Sequence, residues 1–317
     1  MKKSSPIRGW IPLFRPPNLL TVPGDVMAGY VLAAQSAVFP WAPLGKTMMA
    51  SLCFYMAGLA LNDYADREND ALERPSRPLP SGAVSPAAAR AAGLALLLAG
   101  LAWCAWAGSA ALWLGVSLAV TIGVYTFYLK EAPGAGALLM GLCRAQNVAL
   151  GALALPVLHA VRPDVWVAVC VIGAYVSSVS VLARRETQRH HPGVEVGLPC
   201  VVLVLGLLFY VPWLPDAFPA RAGFLVAYGL AIVSALRFGL RMSGLRMTPD
   251  LAAALERKER TRHEMPHGIG QLIAALLFVQ AAFIFSAADG LVNYTLAALL
   301  LVAYPLNRLA SRFFYAS

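Results

Sequence analysis

The sequence predicts an all-α, polytopic transmembrane helical bundle, and three observations predict it. Apolar residues make up 59% of the chain and charged residues only 13%. The apolar residues fall in blocks of roughly 17 to 25, the length a helix needs to cross a bilayer. Between the blocks lie the Lys and Arg residues, whose placement alternates with the crossings as the positive-inside rule requires.

Ten apolar segments follow in order: residues 18–39, 45–61, 87–107, 110–129, 135–158, 164–183, 196–214, 219–239, 269–287 and 291–306. Gly and Pro recur inside them, which membrane helices tolerate because neighbouring helices satisfy the freed backbone groups. The basic start, residues 1–15, runs into a full-length apolar block instead of a short one with a small-residue cleavage site, so the first span is expected to stay in the mature protein. With the N-terminus inside, all of the 25 Lys and Arg fall on the cytoplasmic side except Lys46, Arg162, Arg221 and the intraspan Arg144. That asymmetry predicts an even number of crossings and both ends in the cytoplasm.

The formal charge of +9 does not mark a nucleic-acid binder, because Lys and Arg are not gathered on one soluble face with interleaved aromatics. Cys53, Cys104, Cys143, Cys170 and Cys200 stand singly in apolar segments with no metal-ligand spacing, and read as small packing residues. The long connections, near residues 62–86, 184–195 and 240–268, all fall on the inside, and chemistry is expected there, facing the cytoplasm. His190 and His191 read as solvated loop residues, and residues 251–264 as an amphipathic surface helix after the Thr248-Pro249 start signal.

The second span ends in Asn62-Asp63-x-x-Asp66-x-x-x-Asp70. If the helix continues through Asp70, then Asn62, Asp66 and Asp70 are spaced i, i+4 and i+8, about 6 Å apart along one stripe that drifts by about 40° per step. Like charges so placed repel unless a cation neutralises them. Mg²⁺ suits the task, because it takes one or two carboxylates and completes its shell with water and phosphate oxygens. The stripe therefore reads as half of a metal–diphosphate site. Arg67, Arg74 and Arg77 follow on a loop stiffened by Pro75, Pro78 and Pro80, which holds Arg74 and Arg77 ready for phosphate oxygens. Arg144 and Asn147 share a face inside the fifth span, where an Arg is costly unless it serves a polar site.

These residues carry a resemblance to the UbiA superfamily of intramembrane prenyltransferases. The matching run is Asn62-Asp63-x-x-Asp66-x-x-x-Asp70 followed by Arg74-Pro75-x-Arg77-Pro78-Leu79-Pro80-Ser81-Gly82. Arg15-Pro16-Pro17-Asn18-Leu19-Leu20-Thr21 with Asp25 and Gly29 is similar too, and Tyr125 to Lys130 looks like the aromatic-plus-lysine end of the family's fourth span. Met140 to Asn147, with Gly151 one turn on, resembles the EboC-like branch.

The resemblance implies one UbiA-like domain over residues 1–317 with nine to ten spans, in the inner (cytoplasmic) membrane. It also implies a prenyl diphosphate chelated through Mg²⁺ and transfer of the prenyl group to a small acceptor, an aromatic or a cyclitol- or polyol-type molecule. Asp66, Asp70 and Arg144 are then the catalytic candidates, and Asn62, Asp66, Asp70 and Glu186 the metal ligands. Arg74, Arg77, Lys130, Arg144, Arg184 and Arg185 would bind diphosphate, and Asn18, Asp25 and Asn147 the acceptor. The family's second Asp-rich motif, at the end of the sixth span, is missing: this chain reads Ser177 to His191 there, with Glu186 its one carboxylate. Arg184 and Arg185 are expected to supply the missing positive charge directly. A UbiA-type terpene cyclase and a non-catalytic prenyl-lipid binder or transporter are the alternative readings.

Overall fold

A computed structural model describes residues 6–34, 40–155, 162–187, 193–244, 251–287 and 290–311; the side chains of 6–8, 185–187, 244 and 251–263 are not described. All regular structure among these residues is helical. Two short helices, α1 (Pro6–Leu13) and α2 (Pro16–Leu19), lead into α3 (Val22–Ala34). Then come α4 (Trp41–Glu73), α5 (Pro86–Ala107), α6 (Ser109–Val124) with a π-helical end at Tyr125–Leu129, and α7 (Ala135–Ala152). The second half holds α8 (Pro163–Thr187), α9 (Leu198–Tyr210), α10 (Phe218–Gly244), α11 (Leu251–Phe285) and α12 (Leu291–Ala310). A helix falls on each of the ten apolar segments. Seven of the helices are long and apolar enough to cross a membrane, and the protein is an integral membrane protein with several spans.

Layering follows from where polar and small residues sit. Every residue of α3 except Pro23 is buried, a helix apolar on all sides that belongs at the centre of a bundle. It packs against α4, α7, α8 and α11. Glycine sets the closest of these approaches: a Cβ at Gly29 would overlap the Val148 carbonyl oxygen, and one at Gly151 would overlap that of Val26. Small residues let membrane helices meet backbone to backbone in this way. The outer helices instead turn leucine, valine and phenylalanine outward; Leu98, Leu208 and Phe209 are each more than three-fifths exposed, as a lipid-facing surface requires.

Two elements run further than the apolar pattern alone suggests. Helix α4 has 33 residues, about 50 Å at 1.5 Å per residue, and continues three turns past the apolar block. Ala, Glu, Asp and Arg sustain it, and it stops at Arg74, whose N–H still reaches the Asp70 carbonyl at 2.8 Å while Pro75 bars a further helical residue. The long inside connection expected at 62–86 is therefore half helix, which carries the acidic stripe in register. Ser85 accepts from the Ala88 N–H and, with Pro86, starts α5. Likewise the segment 251–264, expected as a separate surface helix, is the first part of the 35-residue α11 that continues into the bundle.

Candidate metal and diphosphate site

The end of α4 gathers three carboxylates and three cations from four elements. Asp63, on α4, accepts from Arg15 at 3.3 Å and lies 4.0 Å from Arg77. Asp70 holds the same Arg77 at 2.7 Å, and Asp66 is paired with Lys130 from the π-helical end of α6. Asp63 and Asp70 are buried, so these pairs are screened less than surface ion pairs. Arg15 is the one non-glycine residue with positive φ, at 45°, among the described residues. That strained backbone, between α1 and two prolines, aims its guanidinium at Asp63.

Asn62 supplies the observation that speaks to a metal. Its Nδ2 donates to Asp66 Oδ2 at 3.1 Å, which leaves Oδ1 buried and without a hydrogen-bond partner. Buried oxygens are rarely left so. An amide oxygen one turn from a carboxylate is the all-oxygen donor set of a hard divalent cation. No three His, Cys, Asp or Glu side chains converge on one point among the described residues. Asn62 and Asp66, with Asp70 one turn further on, are the residues of the stripe that could hold a cation, the rest of its shell coming from elsewhere.

Deeper in the bundle lies a second polar group. Arg144 on α7 donates to Asp25 at 2.8 Å and to Thr21 Oγ1 at 3.0 Å, both at the start of α3, and its guanidinium stands 5.3 Å from the Tyr55 ring. Gln280 on α11 donates to the other Asp25 oxygen at 2.6 Å and to the Thr21 carbonyl at 2.8 Å. Asp25 and Gln280 are fully buried and Arg144 nearly so, and each charge faces its opposite. One turn further along α7, Asn147 accepts from Ser51 at 2.8 Å. Tyr55 precedes Asn62 by seven helical residues, about 10 Å along α4, so this group lies below the acidic stripe.

The structure thus brings Asn62, Asp66, Asp70, Arg77 and Lys130 together and sets Asp25, Arg144 and Asn147 apart from them. Arg74 is half-buried beside the cluster and makes no side-chain ion pair or hydrogen bond among the described residues. Arg184 donates to the carbonyls of Glu131 and Ala132, immediately after Lys130. The side chains of Arg185 and Glu186 lie outside the described residues. Asn18 is buried in α2, beneath the end of α12, where Asn307 donates to the Pro17 carbonyl. Sequence reasoning did not single out Arg15, Asp63, Thr21 or Gln280 as site residues. Arg15, Asp63 and Thr21 stood inside quoted motifs, whereas Gln280 had no signal beyond a lone amide in an apolar block.

Residues 25–238 match the model of the UbiA prenyltransferase family, which is more than half of the chain. The chain belongs to that family. Among its relatives is a digeranylgeranylglyceryl phosphate synthase of Halobacterium salinarum, 33% identical over 147 residues, 46% of this chain and 53% of the relative. Another such synthase, of Pyrococcus abyssi, is 25% identical over 63% of this chain and 70% of its own length. The chain spans about half the length of several curated relatives that it matches. A UbiA homolog from Archaeoglobus fulgidus, solved bound to DMAPP and Mg²⁺, superposes with a TM-score of 0.54 over 84% of this chain and 99% of its own, at 13% identity. A structure of digeranylgeranylglyceryl phosphate synthase gives 0.56 over 89% and 99%, at 18% identity. Both likenesses extend the UbiA fold beyond the residues the family model matches.

Proposed function

We propose that this UbiA-family protein is a Mg²⁺-dependent membrane prenyltransferase that moves an isoprenyl group from a prenyl diphosphate to a small polyol-type acceptor, on the cytoplasmic side of the membrane. The observation that carries the reading is the alternation of carboxylate and cation at the end of α4, with the unpartnered Asn62 oxygen at its centre. A diphosphate needs cations on several sides. Arg15, Arg77 and Lys130 arrive from three different elements, and Arg74 stands beside them with an unengaged guanidinium.

In this reading Asn62, Asp66 and Asp70 would hold the metal, with Glu186 on α8 as a further ligand. Bound Mg²⁺ supplies charge that stabilises the departing diphosphate. Lys130 and Arg77 turn from the carboxylates to phosphate oxygens and hold them in place as negative charge builds. The bond between the allylic carbon and the diphosphate oxygen breaks and its electron pair leaves with the diphosphate; an acceptor hydroxyl oxygen forms the new bond to that carbon, and its O–H proton passes to the released diphosphate. Arg184 and Arg185 add positive potential at the end of α8. Arg144, expected at the diphosphate, is assigned with Asp25, Asn147 and Asn18 to the acceptor, whose hydroxyl groups suit such a polar set.

The acceptor class draws support from the relatives, whose name denotes a prenylated glyceryl phosphate. A phosphorylated polyol fits the Arg144 group better than an aromatic ring does. The run Met140 to Asn147 resembles the EboC-like branch, and ten crossings agree with the charge pattern. Purified protein incubated with Mg²⁺ and labelled prenyl diphosphates, with and without cell extract, tests the reading. Label should pass to an extract component and diphosphate release should require extract. Asp66→Ala and Asp70→Ala should each abolish transfer. Release without extract would instead identify a cyclase, and tight binding without release a carrier.

A further inference from the structure

Thr126 lies on the π-helical end of α6 and is buried, 5% exposed, with its hydroxyl lacking a hydrogen-bond partner among the described residues. This is unusual within the molecule itself. Thr21, Thr47, Thr121 and Thr295 each donate to a carbonyl three or four residues earlier, the ordinary way a helical threonine satisfies itself. The π-turn at Tyr125–Leu129 breaks that pattern, and π-turns recur where helices serve a site.

The register of α6 against α4 shows where the freed hydroxyl stands. The two helices run in the same direction: a Cβ on Gly58 would meet Ile122 at 3.7 Å, and eight residues further along each helix Lys130 reaches Asp66. Midway between these contacts Thr126 comes level with Asn62. Two buried oxygens without partners, Thr126 Oγ1 and Asn62 Oδ1, thus stand at one level, one turn below the Asp66–Lys130 pair. Neither satisfies the other, and an oxygen pair beside a carboxylate is matched by a hard cation.

We propose that Thr126 is a further metal ligand, its hydroxyl oxygen joining Asn62 Oδ1 on the Mg²⁺ of the bound metal–diphosphate. A protein oxygen beyond those of the α4 stripe then comes from α6. The inference rests on the metal–diphosphate reading of the α4 stripe.

Calorimetric titration of the full-length protein in detergent with Mg²⁺ and inorganic pyrophosphate tests it, beside thermal melts without ligand. Thr126→Val should weaken binding about tenfold, the equivalent of one net polar contact. Thr126→Ser should restore it. Because the hydroxyl has no protein partner to lose, Thr126→Val should not lower the unliganded melting temperature. Wild-type binding by Thr126→Val would overturn the proposal. So would a loss that Thr126→Ser does not rescue and that comes with a lower melting temperature, which marks packing. If Asp66→Ala binds as well as wild type, or the wild type does not bind, the stripe reading itself fails. If only Asp66→Ala loses binding, the stripe stands and Thr126 does not.

Discussion

At the scale of single residues, the decisive fact is that Asp63, Asp66 and Asp70 at the end of α4, and Asp25 inside the bundle, each meet a cation from another part of the chain. The Arg144–Asp25 pair is the most buried of these, at 9% and 0% side-chain exposure. Removing one partner of such a pair leaves the other uncompensated, at a cost of about 3 to 5 kcal/mol, whereas replacing both with apolar groups is often neutral. Arg144→Ala should therefore melt well below the wild type in detergent. The double variant Arg144→Met with Asp25→Leu should recover most of that loss yet fail to transfer label to acceptor. A double variant with full transfer would show that the pair serves folding alone. The sequence marked Arg144 and Asp25 as separate candidates; that they bind each other was illegible, because 119 residues separate them and only packing of α3 on α7 unites them. Asp63 was hidden differently. It stood inside the motif but off the i, i+4, i+8 stripe, and its work is to hold Arg15 and Arg77.

At the scale of elements, a helix lies on each of the ten apolar blocks, and seven of the described helices are long and apolar enough to cross a membrane, since bilayer length and composition are local properties of the chain. Their ends were less legible. Helix α4 continues past its apolar block because the good helix formers Ala65, Arg67, Glu68, Ala71, Leu72 and Glu73 are interleaved with the Asp and Asn residues, and hydropathy is blind to that. The π-helical end of α6 was invisible too, as no composition signal separates it from an α-turn. Contacts between elements depend on small residues that sequence periodicity does not rank. Gly29 and Gly151 make the α3–α7 approach that sets Asp25 against Arg144. Gly29→Leu would drive a side chain into the Val148 carbonyl, and overpacking of this kind costs about 1 to 3 kcal/mol. A lowered melting temperature together with lost transfer is expected. A Gly58→Ala change, whose Cβ meets only Ile122 at 3.7 Å, should leave the melting temperature close to that of the wild type.

At the scale of the whole molecule, the arrangement is a central set of helices, α3, α7, α8 and α11, wrapped by lipid-facing ones, with the functional groups at one end. The Arg15–Asp63, Lys130–Asp66 and Arg184–Glu131 contacts place four chain segments at that end. Lys46 lies over Trp106 at 4.7 Å, beside the turn at Gly108 between α5 and α6, at the opposite end. With ten crossings, a cysteine at Ser4 or Ser317, in a background lacking the native cysteines, should be shielded from a membrane-impermeant maleimide in intact cells. One at Ser109 should react. Labelling of only one terminus would mean an odd number of crossings.

Binding of a divalent cation together with diphosphate on the α4 stripe is read out most directly by anomalous scattering from crystals grown with Mn²⁺ and inorganic pyrophosphate. A peak is expected roughly 2.2 Å from oxygens of Asn62 and Asp66, close to ordinary metal–oxygen bonding distance, with Lys130 and Arg77 turned to the phosphates. A peak elsewhere in the bundle, or pyrophosphate bound at the stripe with no metal, would contradict it.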